Sequence, residues 1–221
     1  MSDPQTQVRR RRWILIAGAA AVAVLISSSI GIVRYLSSPL DMAGNHVAYE
    51  DFSPPSAEES EAVEQVGTDR FIVDSVGLNV PMGSLKTVRN VIEPPGFTSA
   101  YWVRDHGVAP VDGAKGTVFV VMHSLRAGGK GPGNSLIDVK NASSKVGLGA
   151  KIVVDDTSYT VTGTQTIDKP AVAEASAVWA DVPGRLVVIT CLQKPNGSAS
   201  TKNVIIEAQM DAPLEEVPVS P

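Results

Sequence analysis

The sequence predicts a mainly β domain built as an antiparallel barrel or sandwich. Its apolar runs are short, rich in Val, Ile and Thr, and bounded by Gly, Pro, Asn or Asp, as strands are. The 19 glycines and 15 prolines among 221 residues indicate many turns. No segment shows a long 3.6-residue apolar period, which argues against strands alternating with long helices.

The first elements along the chain precede this domain and predict a membrane anchor. The basic residues 1–12 end in four consecutive arginines and are followed by the apolar residues 13–34, which carry no charge before Arg34. Such a run is long enough to cross a hydrocarbon core of about 30 Å. By the positive-inside rule the arginines stay cytoplasmic and everything beyond the span is extracytoplasmic. A cleaved signal peptide is the alternative, although its apolar core is normally shorter.

The anchor is followed by an acidic linker, residues 35–69. Residues 41–69 hold eight Asp and Glu side chains and no Lys or Arg. We expect an extended tether, because so polar a stretch buries too little apolar surface to offset the entropy lost on ordering.

The folded domain is expected at residues 70–210 and a disordered, acidic tail at residues 211–221. The domain is only mildly basic, with 14 Lys and Arg against 11 Asp and Glu, and aromatic residues make up 5% of the chain. Nucleic-acid binding is excluded as a function, because it requires a basic cluster with interleaved aromatic side chains.

Seven strands are predicted in the domain, and one pair of them is joined by a hairpin turn at residues 155–157. The strands are residues 70–73, 78–82, 116–122, 151–154, 158–162, 185–190 and 202–210. Short helices are predicted at residues 87–92, 134–139 and 169–178.

Cys191, the only cysteine, lies where an apolar run meets a polar loop. A free cysteine usually behaves as a small buried hydrophobe, and that interpretation is the alternative to a functional one. An unpaired thiol outside the cytoplasm is open to oxidation, which favours a use for it. Functional groups concentrate where strands meet loops. A single cysteine excludes a thiolate metal cluster.

A cysteine nucleophile needs a proton acceptor, and His123 is the candidate. His123 ends the strand "GTVFVVMH" and opens a Gly-rich loop, so its position repeats that of Cys191. His46 falls in the linker, and His106 falls in a turn-rich stretch where a solvated histidine is common. Two strand ends carrying Cys191 and His123 at one rim of a sheet would form a Cys/His acyl-transfer site.

The run "VVITC" is similar to the Thr-Leu-x-Thr-Cys signature of sortases, the membrane-anchored bacterial transpeptidases. The histidine-bearing strand upstream, the strand "NVIIEA" downstream and the Arg-rich anchor also resemble the family, most closely its actinobacterial class F and class E members. The resemblance covers residues 70–210 and implies an eight-stranded barrel. Cys191 would form a thioacyl intermediate on a Leu-Pro-x-Thr-Gly-like sorting signal, and His123 would transfer the protons.

The same resemblance implies the partners: a sorting-signal peptide, and an amine acceptor of the cell wall or a pilin. It implies no metal or organic cofactor. The alternatives are a catalytically weak or inactive sortase-like domain that binds peptide, and a hydrolase that uses the same pair with water as the acceptor.

The sequence departs from the family pattern at two positions. Met122 stands where the family has glycine before its histidine. The usual arginine after the cysteine loop is absent, and Asn203 or the neighbouring Lys202 would have to donate to the oxyanion or the substrate backbone. Thr190, Arg126 and Lys194 are further candidates for the rim of the site.

Overall fold

A computed structural model describes residues 56–63, 68–126 and 128–212, together with Met42 and Gly44. The predicted basic segment, the span 13–34, most of the linker and residues 213–221 lie outside this part of the chain. Within it, no helix has the length and apolar character needed to cross a membrane.

Eight strands of the described residues close into a barrel, which confirms the mainly β prediction. The ten strands are β1 (Arg70–Val73), β2 (Leu78–Leu85), β3 (Ala100–Gly107), β4 (Thr117–Met122), β5 (Ile137–Asp138), β6 (Ser143–Ser144), β7 (Lys151–Val154), β8 (Thr157–Asp168), β9 (Arg185–Leu192) and β10 (Lys202–Met210). The barrel order is β1-β2-β3-β4-β9-β10-β8-β7, and β5 pairs with β6 in a separate small sheet.

Helical structure in the described residues is short. There are two α-helices, α1 (Lys169–Val172) and α2 (Ser176–Trp179), and three 3₁₀ segments (Asp74–Val76, Pro110–Lys115 and Pro132–Ser135). The helix predicted at residues 169–178 is therefore two separate turns. The helix predicted at residues 134–139 is a 3₁₀ segment that leads into β5.

Two of the strand pairings are parallel, which differs from the all-antiparallel arrangement predicted. β2 pairs with β3 in parallel, and β4 pairs with β9 in parallel from Thr117↔Arg185 to Met122↔Thr190. The ends of two parallel neighbours meet at the same edge of a sheet. The β4–β9 pairing therefore brings residues 123 and 191 to one edge of the barrel.

Side chains that alternate along these strands supply two apolar clusters, as the two-residue period of a strand requires. Even-numbered residues of β4 and β9, such as Val120 and Val188, fill the barrel interior. Odd-numbered residues, such as Val121 and Ile189, form a second cluster on the outer face, which Val178 and Trp179 of α2 cover. Burying each such side chain stabilises the fold by about 1.5–3 kcal/mol. Cys191 is odd-numbered and so belongs to the outer face.

Strand β3 occupies a stretch that the sequence predicted to be a turn-rich loop. Its buried residues, Tyr101 and Val103, alternate with half-buried ones and pack into the outer cluster. His106 lies on this strand, with its ring 5.3 Å from that of Trp179. The helix predicted at residues 87–92 is wrong: Val88 and Val91 bridge a tight turn.

Part of the stretch expected to be an extended tether is folded against the barrel. Residues 56–63 form a turn and then pair with β2 through Val63 and Ser84. Glu61 lies 2.7 Å from the ammonium of Lys86. Acidic side chains of this segment form ion pairs with Lys86 and Arg89. The amino-acid composition of the segment does not predict these pairs.

Candidate active site

Cys191 and His123 lie at neighbouring ends of the parallel strands β4 and β9. The register Met122↔Thr190 is the last of this pairing, and each candidate is the next residue along the chain. Neighbouring strands lie about 4.8 Å apart. Both side chains line one cleft of about 300 Å³. The pair predicted from the sequence is thus brought together.

Thr190 links the ends of β4 and β9 by a side-chain hydrogen bond. Its buried hydroxyl donates to the carbonyl oxygen of Met122 at 2.9 Å. Gly133 packs against this bond, and its N–H donates to the carbonyl oxygen of His123 at 2.8 Å. A Cβ at Gly133 would lie 1.9 Å from Thr190 Oγ1, so only glycine fits there. Thr190 is therefore a positioning residue in the rim of the cleft.

A second network, which the sequence did not indicate, lies just beyond the pair. The hydroxyl of Ser124 donates to the carbonyl oxygen of Cys191. Gln193 Nε2 donates to the carbonyl oxygen of Ser124 at 2.7 Å and to its hydroxyl at 2.8 Å. These bonds join Ser124, the residue after His123, to Cys191 itself and to Gln193.

The imidazole of His123 is buried, with 7% of the residue exposed. Nε2 lies 2.8 Å from the carbonyl oxygen of Pro94, and the ring lies 4.9 Å from that of Phe97. A carbonyl oxygen only accepts, so Nε2 carries the hydrogen and the neutral ring has its lone pair on Nδ1. Burial, opposed by the Pro94 hydrogen bond and assisted by the charge of Lys169, lowers the pKa of His123 to about 4.

Two charged residues of the cleft were missed by the sequence reasoning. Glu93 Oε1 lies 4.0 Å from His123 Nε2, and burial raises the pKa of Glu93, opposed by the charge of Lys169. Lys169 also lines the cleft. Neither residue stands in a motif: Glu93 precedes two prolines in the β2–β3 connection, and Lys169 opens α1. Only the tertiary fold brings them to His123.

Of the two residues expected to replace the family arginine, Asn203 faces the cleft and Lys202 does not. Asn203 lies directly opposite Cys191 in the β9–β10 pairing and lines the cleft. Its side-chain amide has no hydrogen-bond partner among the described residues. Lys202 is half-exposed, and its ammonium lies 3.8 Å from Asp168 Oδ1. Successive strand residues point to opposite faces, which separates the two side chains.

Arg126 and Lys194, the other rim candidates, line a different cavity of about 450 Å³. Neither belongs to the cleft that holds Cys191 and His123. Within the described residues, no group of three or more His, Cys, Asp or Glu side chains could hold a metal ion. His106 packs against the rings of Phe119 and Trp179 and does not line the cleft, and His46 lies outside the described residues.

The closed eight-stranded barrel therefore brings a cysteine and a histidine, the two residue types that a Cys/His acyl-transfer site uses, to neighbouring strand ends that line one cleft. No family model matches the sequence, and no curated protein matches it either. The fold is similar to the solved structures of several sortases, which belong to different classes.

Three of these structures show the extent of the likeness. Sortase A from Listeria monocytogenes is 22% identical, with 66% of this chain and 87% of that chain covered and a TM-score of 0.47. Sortase C-1 from Actinomyces oris is 16% identical over 66% and 73%, with a TM-score of 0.47. A lid mutant of sortase A from Corynebacterium diphtheriae is 13% identical over 71% and 76%, with a TM-score of 0.49.

Proposed function

We propose that the protein is a membrane-anchored extracytoplasmic cysteine transpeptidase of the sortase type, similar to class F or class E. Residues 13–34 are its single span, with the N-terminus in the cytoplasm. Its substrate is a Leu-Pro-x-Thr-Gly-like sorting signal of a secreted protein, and its acceptor is an amine of the cell wall or a pilin. One observation carries the proposal: Cys191 and His123 line one cleft from neighbouring parallel strand ends.

In the first half-reaction the sulfur of Cys191 attacks the scissile carbonyl carbon of the sorting signal. His123 is neutral near pH 7, since its pKa is about 4, and it takes the thiol proton as the attack proceeds. The imidazolium that forms is a strong acid in this buried site. It protonates the departing amine, and the C–N bond breaks to leave a thioester on Cys191.

Asn203 is the best-placed donor to the oxyanion. Its amide stands opposite Cys191 across the β9–β10 pairing and lines the same cleft. Removing one such donor costs acyl-transfer enzymes about 3 kcal/mol in the transition state. Lys169 adds a positive charge to the cleft, which also favours a developing oxyanion.

In the second half-reaction an amine attacks the thioester carbonyl carbon. A new C–N bond forms, the C–S bond breaks, and the amine proton passes through His123 to the sulfur of Cys191. Water as the acceptor gives hydrolysis instead, so the ratio of ligated to hydrolysed product separates a transpeptidase from a hydrolase.

Intact-mass spectrometry of the full chain, purified in detergent and incubated with a panel of sorting-signal peptides, tests the proposal. We expect a thioacyl adduct that is heavier than the free protein by the mass of the acyl fragment, which is the part of the peptide before the cleaved bond. The Cys191→Ala variant should give none. Absence of an adduct across the panel, or an equal adduct on Cys191→Ala, would refute the assignment.

A second candidate function is a sortase-like domain that binds peptide without turnover. It is favoured by the composition of the cleft, whose lining among the described residues includes Lys169 and Asn203 but no arginine. This function requires that Cys191→Ala retain both peptide affinity and function in cells. A loss of cellular function in that variant rejects it.

A further inference from the structure

A second cavity begins just beyond the catalytic pair, between the loop that follows His123 and the loop that follows Cys191. Its volume is about 450 Å³. The side chains that matter for its chemistry are Arg126, Asn134, Gln193, Lys194 and Asn196. We call it the second cavity, to distinguish it from the cleft that holds the pair.

Gln193, which lines this cavity, has an unused hydrogen-bond acceptor. The residue is 7% exposed, and Nε2 donates to the carbonyl oxygen and hydroxyl of Ser124. The carbonyl oxygen of Ser124 can only accept a hydrogen bond. The side-chain amide of Gln193 must therefore direct Nε2 toward Ser124 and Oε1 away from it. Oε1 is buried and has no partner among the described residues. Such an acceptor costs about 1–3 kcal/mol, which a ligand N–H would recover.

The charges of the second cavity have one sign. Arg126 and Lys194 both line it, and its described lining contains no Asp or Glu. Cations in that setting favour an anionic group, and a guanidinium matches the two oxygens of a carboxylate. The cavity therefore suits a molecule that has both an N–H donor and a carboxylate.

We propose that the second cavity binds the acceptor of the transfer reaction, and that this acceptor is an amine that carries a carboxylate. The inference rests on the proposed function, which requires one place for the acyl donor and another for the amine. The cleft of Cys191 has an apolar lining that includes Val91, Ile92 and Trp179, which suits the donor peptide.

The positions of the two loops support this assignment. Gln193 is two residues beyond Cys191, and Arg126 is three beyond His123, so a ligand held between them is bound by the loops that directly follow the two residues of the pair. Its amine nitrogen bonds to the thioester carbon, the C–S bond breaks, and the amine proton returns through His123 to the sulfur. The carboxylate, held by Lys194 and Arg126, takes no part in bond making.

The experiment compares L-lysine with L-lysinamide as acceptors for the full chain acylated by a sorting-signal peptide. The two probes differ at one group, which is a carboxylate in lysine and a neutral carboxamide in lysinamide. We expect a KM about fivefold lower for lysine, the size of one partly exposed charge contact. In Lys194→Gln the ratio of the two KM values should fall to about one. In Lys140→Gln, which removes an exposed lysine that lines neither cavity, the ratio should stay that of the wild type.

A binding measurement keeps this inference separate from the proposed function. Titrating L-lysine into the Cys191→Ala protein should shift the NMR signals of the Gln193 and Lys194 amides saturably, even if no peptide ever acylates the wild type. Equal KM values for the two probes, or no shift at these amides, would overturn the inference. So would competition between lysine and the sorting peptide for adduct formation, because that places the carboxylate in the donor cleft.

Discussion

Burial of His123 sets the pH range expected for the proposed catalytic pair. A general base must be unprotonated, and the pKa of about 4 keeps the imidazole neutral over the whole physiological range. We predict that kcat/KM for thioacyl formation declines only below about pH 4. A histidine in water would give this decline near its ordinary pKa of about 6.5.

Lys169 provides a test of the cause, because its charge contributes to the lowered pKa. In Lys169→Met the acid limb should move to higher pH, and in Lys140→Met it should not move. A wild-type limb near pH 6.5, or one insensitive to residue 169, would contradict this account of His123.

Gly133 is the residue on which the junction of the two strand ends depends most directly. A Cβ there would lie 1.9 Å from Thr190 Oγ1 and 2.9 Å from the carbonyl oxygen of His123. We predict that Gly133→Ala lowers the free energy of unfolding by about 1–3 kcal/mol, as overpacking typically does. Urea denaturation measures the change, and the rate of thioacyl formation should fall with it.

The matched control is Gly147→Ala, where a Cβ meets nothing within 4 Å. Adding Thr190→Ala to Gly133→Ala should recover part of the lost stability, because the closest contact is then gone. Additive losses in the double variant would show that Thr190 is not what Gly133 accommodates.

Strands with two apolar faces could be predicted from the sequence, whereas their partners could not. β9 reads as a continuous apolar run because one face lines the barrel interior and the other lies under α2. β3 was missed because Arg104, Asp105 and His106 interrupt its pattern while Tyr101 and Val103 are buried. The parallel pairing of β4 with β9 joins segments almost 70 residues apart, and no local signal encodes it.

The same distinction separates the parts of the site. Cys191 and His123 could be proposed as a pair because each lies at the end of a predictable strand. Glu93, Pro94 and Lys169 reach the cleft from connections whose paths depend on tertiary contacts. The turn at Arg89 and Asn90 is an example of such a path. The backbone of both residues is in the left-handed region, with φ of 51° and 62°, and the residue types alone do not predict two such residues in a row.

The folded linker segment, residues 56–63, supports the connection that lines the cleft. Val63 N–H donates to the carbonyl oxygen of Ser84 at 2.9 Å, and Glu59 lies 3.0 Å from Arg89. Val63→Pro removes this donor and should weaken docking by about 1 kcal/mol. We predict faster amide exchange at residues 84–93, measured by hydrogen–deuterium exchange.

Val63→Ala is the control, because it keeps the N–H and should leave exchange nearly unchanged. If Val63→Pro exchanges like the wild type at residues 84–93, the linker segment does not support the cleft.

The stability of the whole barrel depends on pH through two groups, the buried His123 and the partly buried Asp155, which have opposite effects. The pKa of His123 is about 4 in the folded state and about 6.5 when unfolded, so the unfolded chain binds more protons between these values. This effect lowers stability as the pH falls, by roughly 3 kcal/mol once both states are protonated.

Burial, followed by the charges of Asp69 and Asp156, raises the pKa of Asp155 to about 6. Asp155 therefore favours the folded state at low pH and disfavours it as the pH rises through 6.

These opposite slopes overlap between about pH 4 and 6, so the wild-type free energy of unfolding should change little there. Asp155→Asn should remove one slope and expose the other. Asparagine keeps the left-handed backbone of this turn, where φ is 54°, and Oδ1 of Asp155 is buried without a partner among the described residues.

We expect Asp155→Asn to be more stable than the wild type at pH 7 and equal to it in stability below the ordinary pKa of aspartate. The free energy of unfolding of the variant itself should fall steadily as the pH falls from 6.5 to 4, because only the effect of His123 then remains. Urea unfolding at four pH values measures this, with the exposed Asp74→Asn as the control variant. A wild-type curve that already falls steeply over this range, or an Asp155→Asn curve parallel to it, would show that the two groups do not offset each other.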